Sequence, residues 1–208
     1  MKREQIEITF VEAKAKHAKA LLDFYKQVGQ ETPYLTFGPE GLGVDQEQEQ
    51  RYLKAIEGSL NNRVLLAILE GEIIGAITVG APEGTKTEHI GELGICILRR
   101  YFGFGLSRLL MEDMLEWAIE SSILRGLRLE VNVENIRALS LYKKYDFKEI
   151  GRLPEGQYVD GTFQETVLMY LPVKNSEQET ASEENQEVKK NFLMEKMRKL
   201  FVIAKRLE

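Results

Sequence analysis

The stretch Arg99-Arg100-Tyr101-Phe102-Gly103-Phe104-Gly105-Leu106 sets two arginines before two glycines and runs at once into a leucine-rich segment. Glycine takes up positive φ readily and lets backbone approach a ligand. A helix starting beside such glycines turns its positive end and unpaired N–H groups toward an anion. The chemistry on offer is phosphate binding, with the arginines as added charge. A nucleoside-triphosphate P-loop needs Gly-Lys-Ser/Thr, and Leu106-Ser107 follow Gly105 instead. A dinucleotide fingerprint needs a third glycine where Arg108 stands. What remains is Arg/Gln-x-x-Gly-x-Gly/Ala between a strand and a helix. A plain strand-to-helix turn with solvated arginines would carry the same residues.

Just upstream, Glu92, Gly94 and Cys96 share one face of an alternating run, with Leu93, Ile95 and Ile97 on the other. A carboxylate beside Gly and Cys on a central strand is costly unless it faces a groove or has a partner. Partial burial would raise its pKa and suit it to act as a base. Pairing with an Arg or Lys across the sheet would make it structural instead. His89, near the start of the run, is the weaker base and reads equally as a surface histidine. Cys96 has no histidine close in sequence and reads as core filler rather than a nucleophile.

A second constellation lies downstream: Asn135, Ala138, Leu141, Tyr142 and Phe147, in the spacing Asn-x-x-Ala-x-x-Leu-Tyr-x-x-x-x-Phe. With Arg100-x-x-Gly103-x-Gly105 before it, this resembles the GNAT superfamily of acetyl-CoA-dependent N-acetyltransferases, over most of residues 6–171. One position departs, since Asp146 stands where the family usually has Gly; Asp tolerates a left-handed turn better than most residues. The resemblance implies a GNAT fold and acetyl-CoA as co-substrate, with its pyrophosphate on the backbone of residues 99–106. It also implies that Ile95, Cys96, Ile97, Asn135, Ala138 and Tyr142 line the cofactor where two parallel strands splay. Tyr142 takes the place of the family's thiolate-protonating tyrosine. A phenol near pKa 10 stays protonated at neutral pH, whereas a thiol titrates near 8.5. A packed aromatic on the helix stripe is the other reading of Tyr142. Many relatives carry a glutamate at the position of Glu92, which makes it the candidate base.

On the acceptor side, the resemblance places the loop 32–44, with Tyr34 and Phe37, as the covering segment. The turn 154–164, with Tyr158, is the expected opposite wall, and Glu165 a candidate to meet a cationic substrate; each reads equally as an ordinary loop. The implied reaction moves acetyl from acetyl-CoA to a primary amine of a small molecule or peptide, by direct attack in a ternary complex. A transferase of another acyl-CoA is the alternative within the fold. From another class, the domain would be a non-catalytic acyl-CoA sensor or interaction module.

The elements that must position these residues follow from hydrophobic period. A strand at 6–13 precedes a helix whose stripe holds Ala18, Leu21, Leu22 and Tyr25, and a second helix spans 46–56. Two apolar runs joined at Glu70-Gly71 form a hairpin, and residues 88–98 a further strand. The helix from Leu106 is followed by the alternating strand 127–134 and by a short helix carrying Tyr142. Two strands around Asp160-Gly161 close the domain. The predicted class is α/β, with a mixed sheet flanked by helices and a C-terminal amphipathic extension. Residues 1–173 form the acetyltransferase domain and 174–208 an acidic linker and amphipathic helix. That helix carries Leu193, Met197, Leu200, Ala204 and Leu207 on one side and reads as docking on the domain, on a second protomer in a homodimer, or on a membrane surface.

The 208 residues, 43% hydrophobic and 29% charged, suit one soluble domain with an appendage. A net charge of -5 argues against a nucleic-acid partner. One cysteine and two distant histidines argue against a metal centre and an internal disulfide. No stretch has signal-peptide or transmembrane character, so a cytoplasmic location is expected.

Overall fold

The computed structural model describes residues 5–173 and 202–204. Alternating apolar and polar residues build the strands, and the first one breaks at Ile8 into β1 (Gln5–Glu7) and β2 (Thr9–Glu12). A short 3-10 turn then leads into α1 (Ala18–Glu31), and α2 (Gln46–Ala55) follows the loop 32–44. Asp45 starts α2 because its side chain accepts from Gln48 N–H at 2.8 Å, while the Gln48 side chain accepts from Asp45 N–H. β3 (Arg63–Leu69) and β4 (Glu72–Gly80) form the expected hairpin. Its turn residues Glu70 and Gly71 both have positive φ, as a two-residue loop between twisted strands demands.

β5 (Ile90–Ile97), α3 (Leu106–Glu120), β6 (Gly126–Asn132) and α4 (Ile136–Lys144) then alternate. A second hairpin, β7 (Lys148–Val159) and β8 (Thr162–Pro172), turns at Asp160-Gly161. The sheet order is β2-β3-β4-β5-β6-β8-β7, antiparallel throughout except for β5 and β6. This is the mixed, helix-flanked α/β architecture that the resemblance implies. β9 (Val202–Ala204) pairs antiparallel with β1. Those three residues fall within the segment expected to form the C-terminal amphipathic helix; the rest of 174–208 lies outside the described residues.

Both faces of the sheet are covered. Leu106, Leu110, Met111, Met114 and Ala118 of α3 are buried, and Gly75 of β4 leaves room where a Cβ would meet Ile97 and Leu110 at 3.2 and 3.3 Å. Ile97 thus faces α3. The adjoining Cys96 points the other way, within electrostatic reach of Tyr25 on α1. α1 buries Leu21, Phe24, Tyr25 and Val28.

The sheet opens at its parallel seam. β5 and β6 pair only at Ile90/Gly126, Gly91/Leu127 and Glu92/Arg128. Beyond that rung each strand keeps its outer partner, β4 or β8, but not the other. Residues 93–97 of β5 and 129–132 of β6 therefore present strand-edge polar groups to one another across a gap.

Candidate active site

The glycine loop stands at the mouth of this opening, between β5 and α3. Gly103 and Gly105 have φ of 82° and 80°, and a Cβ on either would meet nothing within 4 Å. Left-handed backbone, not crowding, asks for glycine here. Gly105 caps α3, and the N–H groups of Gly105, Leu106 and Ser107 have no hydrogen-bond partner among the described residues. Three free donors at the positive end of a fifteen-residue helix make a site for an anion.

The arginines do not join them. Arg99 donates its backbone N–H to the Glu31 carboxylate at 2.6 Å, and its guanidinium to the Glu31 carbonyl. Arg100 pairs with Glu72 of β4 and lies 5.1 Å over the Tyr101 ring. Both arginines are thus held by a nearer carboxylate or carbonyl. A cation that does face the loop is Arg137, in the first turn of α4, 5.1 Å from the Phe102 ring centre and in no ion pair among the described residues. Its sequence position gave no signal, because it reaches the loop only through the fold.

Across the opening, Asn135 caps α4 by accepting from Ala138 N–H at 3.2 Å. This sets the helix so that Tyr142 points inward, 6% exposed, with its ring 5.8 Å from Phe147. Asp146 takes φ of 64°, so the left-handed helix end survives the loss of glycine. Among the described residues the Tyr142 hydroxyl has no hydrogen-bond partner, yet no fully buried side-chain polar atom lacks one. The hydroxyl therefore touches solvent at its tip. Burial pushes the phenol pKa well up, and the neighbouring Cys96 adds to the shift. Burial also pushes the Cys96 thiol up to about 12, which keeps it protonated and unreactive.

Glu92 departs from expectation. It occupies the last β5–β6 rung, but its side chain is 64% exposed and accepts from Arg128 of β6 at 3.0 Å. The premise of partial burial fails because its strand face is open at this point, and the ion-paired reading is the one observed. His89 uses its carbonyl to hold Arg125 N–H at 2.8 Å, a structural contact.

The two acceptor-side segments do meet. The Gln157 side chain donates to the Tyr34 carbonyl at 3.4 Å, tying the loop 32–44 to the β7–β8 hairpin. Phe37 packs edge-on against Tyr25 at 5.6 Å, and Gly29 lets the Gly38 carbonyl come where a Cβ would stand. Behind them Asn132, 1% exposed, donates to Gln157 and Gln164 at 2.8 and 2.6 Å and accepts from Glu134 N–H. Strand alternation sets Asn132 on the face of Arg128 and Glu130, which are exposed, yet the hairpin covers that face at Asn132. Tyr158 stacks on Phe163 at the exposed tip of the hairpin, away from these contacts. Glu165 is engaged by Arg152 at 2.8 Å, so its charge is already answered. One further residue had escaped notice, the buried Glu49 of α2.

A loop of free amides, a parallel seam that opens beside it and a buried tyrosine in the gap match a known arrangement. The acetyltransferase (GNAT) family model covers residues 30–147. The chain belongs to the GNAT acetyltransferase family. Among solved structures, a GNAT acetyltransferase from Streptococcus pneumoniae is 35% identical, with a TM-score of 0.77, over 80% of this chain and 99% of that one. A Salmonella typhimurium protein solved with its cofactor acetyl-CoA shares the fold at TM-score 0.70 and 16% identity, over 86% of this chain and 99% of that one. The L-amino acid N-acetyltransferase of Escherichia coli is 30% identical over 104 residues, 48% of this chain and 64% of that protein. The match thus spans less than two thirds of that relative. A spermidine N(1)-acetyltransferase of Vibrio cholerae is 28% identical, over 68% of this chain and 76% of that protein.

For a GNAT acetyltransferase the reaction class is acetyl transfer with acetyl-CoA as co-substrate. Among the described residues no cluster of three His, Cys, Asp or Glu could hold a metal ion. No helix among them is long and apolar enough to cross a membrane.

Proposed function

We propose that this GNAT protein is an N-acetyltransferase that moves acetyl from acetyl-CoA to a primary amine by direct attack in a ternary complex. The observation that carries this reading is Tyr142: a buried phenol, kept protonated, whose hydroxyl is unpartnered at the opening between β5 and β6. Named relatives acetylate amines of this kind, on L-amino acids and on spermidine.

In this reading the free amides of Gly105–Ser107 take the pyrophosphate, and the open edge of residues 95–97 faces the pantetheine. Asn135 and Ala138 set the helix that carries the acid. The uncharged amine nitrogen attacks the acetyl carbonyl carbon, the carbon–sulfur bond breaks, and the Tyr142 phenol gives its proton to the departing thiolate. The proton lost by nitrogen leaves through water, with exposed Glu92, at the closed end of the seam, as relay. Tyr34 and Phe37 line the acceptor side.

Mass-spectrometric detection of acetylated product, from acetyl-CoA and a pool of amino acids, polyamines and short peptides, tests this. Product is expected from the wild type, and Tyr142→Phe should lose roughly 10²–10⁴-fold in rate. A Tyr142→Phe enzyme with intact turnover would remove the acid from the mechanism. Binding of acetyl-CoA without any product would favour the sensor reading.

A further inference from the structure

Glu49 stands where the period of α2 asks for an apolar side chain. It shares a buried stripe with Leu53 and Ile56, four and seven residues on. The residue is only 5% exposed, yet among the described residues its carboxylate has no hydrogen bond and no ion pair. No fully buried side-chain polar atom among the described residues goes unpartnered, so these oxygens keep some contact with solvent. The cations of the same helix do not answer the charge: Arg51 pairs with Glu47, and both it and Lys54 lie on the exposed side.

What surrounds Glu49 points to the acetyl-transfer site. Its charge acts on Tyr25 of α1 and on Tyr52, one turn along α2. Tyr25 is also within electrostatic reach of Cys96, and Cys96 in turn of Tyr142. Glu49, Tyr25, Cys96 and Tyr142 are thus linked pair by pair, from α2 past β5 to α4. Phe37 of the acceptor-side loop packs on the same Tyr25. A buried anion without a partner is expensive, and a sequence that keeps one breaks a packing rule where function gains by it.

We propose that Glu49 is the anion that binds the acceptor, taking an ammonium group between the Tyr25 and Tyr52 side chains. This rests on the N-acetyltransferase reading and names its substrate class. The reacting nitrogen must be uncharged to attack, so the cation at Glu49 is a second ammonium a few methylenes away. The acceptor is therefore an alkyl diamine or polyamine, since the carboxylate of a simple amino acid would be repelled here. The two tyrosine rings add faces on which a cation is favoured.

Calorimetric titration of 1,4-diaminobutane and spermidine into the full chain saturated with coenzyme A tests the assignment without turnover. Glu49→Gln should weaken binding by about tenfold or more, Glu49→Asp by less, and Glu47→Gln, on the exposed side of α2, by under about twofold. The thermal midpoint of Glu49→Gln at neutral pH should equal or exceed that of the wild type, because the amide removes an unanswered buried charge. Unchanged diamine affinity in Glu49→Gln, or no diamine binding by the wild type, would overturn the site. So would a lowered midpoint, which makes Glu49 a structural residue. Acetylation of monoamines or amino acids by an enzyme that binds no diamine would overturn Glu49 alone. Diamine binding through Glu49 without any acetyl transfer would support the site and overturn the enzymatic reading.

Discussion

Tyr142 and Arg137 sit on the same short helix, and the sequence exposes one of them while hiding the other. Tyr142 could be read because its spacing from Asn135 and Ala138 belongs to a pattern. Arg137 could not, because its relevance is a 5.1 Å contact with Phe102, thirty-five positions away in the chain. The converse holds for Arg99 and Arg100, which the motif offers as phosphate ligands and the fold commits to Glu31 and Glu72. Spacing names the residue types near a ligand, whereas side-chain direction depends on which carboxylate lies closer. Arg137→Ala should therefore weaken acetyl-CoA binding by about tenfold, the scale of one charge-assisted contact. Arg100→Ala, an exposed ion pair with Glu72, should change it by under about threefold. Calorimetry on the two variants decides between the motif's arginine and the fold's.

At the scale of elements, period carried most of the fold: helices at 46–56 and from Leu106, and both hairpin turns, stand within a residue or two of where pattern puts them. The failures are faces rather than boundaries. Alternation sets Asn132 on the face of exposed Arg128 and Glu130, but β7 and β8 cross over that end of β6 and bury it among Gln157 and Gln164. Period likewise could not say that the open face of β5 would leave Glu92 outside. Asn132→Ala would strand two glutamine side-chain carbonyls and the Glu134 N–H at once. A buried group left without its partner costs about 1–3 kcal/mol, so the denaturation midpoint should fall measurably. Because Gln157 also holds the Tyr34 carbonyl, the variant should raise KM for the acceptor more than for acetyl-CoA. Equal effects on both substrates would mean that the network stiffens the domain without positioning the acceptor-side loop.

For the whole molecule, charge poses a problem that its geometry answers. The chain carries a net -5, and coenzyme A brings several phosphate charges of the same sign, so long-range attraction does not assist binding. Capture must come from short-range donors, and the donors in place are the backbone amides of Gly105–Ser107 with Arg137, which has no ion pair among the described residues. Backbone dipoles fixed at a helix end act over a few ångströms, well inside the Debye length of about 10 Å at 0.1 M salt. Affinity for acetyl-CoA should accordingly change by less than about tenfold between about 50 mM and about 500 mM salt. A steep fall would mean that Arg99 and Arg100 leave Glu31 and Glu72 when ligand arrives and supply the charge themselves. The same titration repeated on Arg137→Ala should be flatter still, because the remaining contacts are to neutral amides. A slope unchanged by that substitution would place the salt-sensitive charge elsewhere on the molecule.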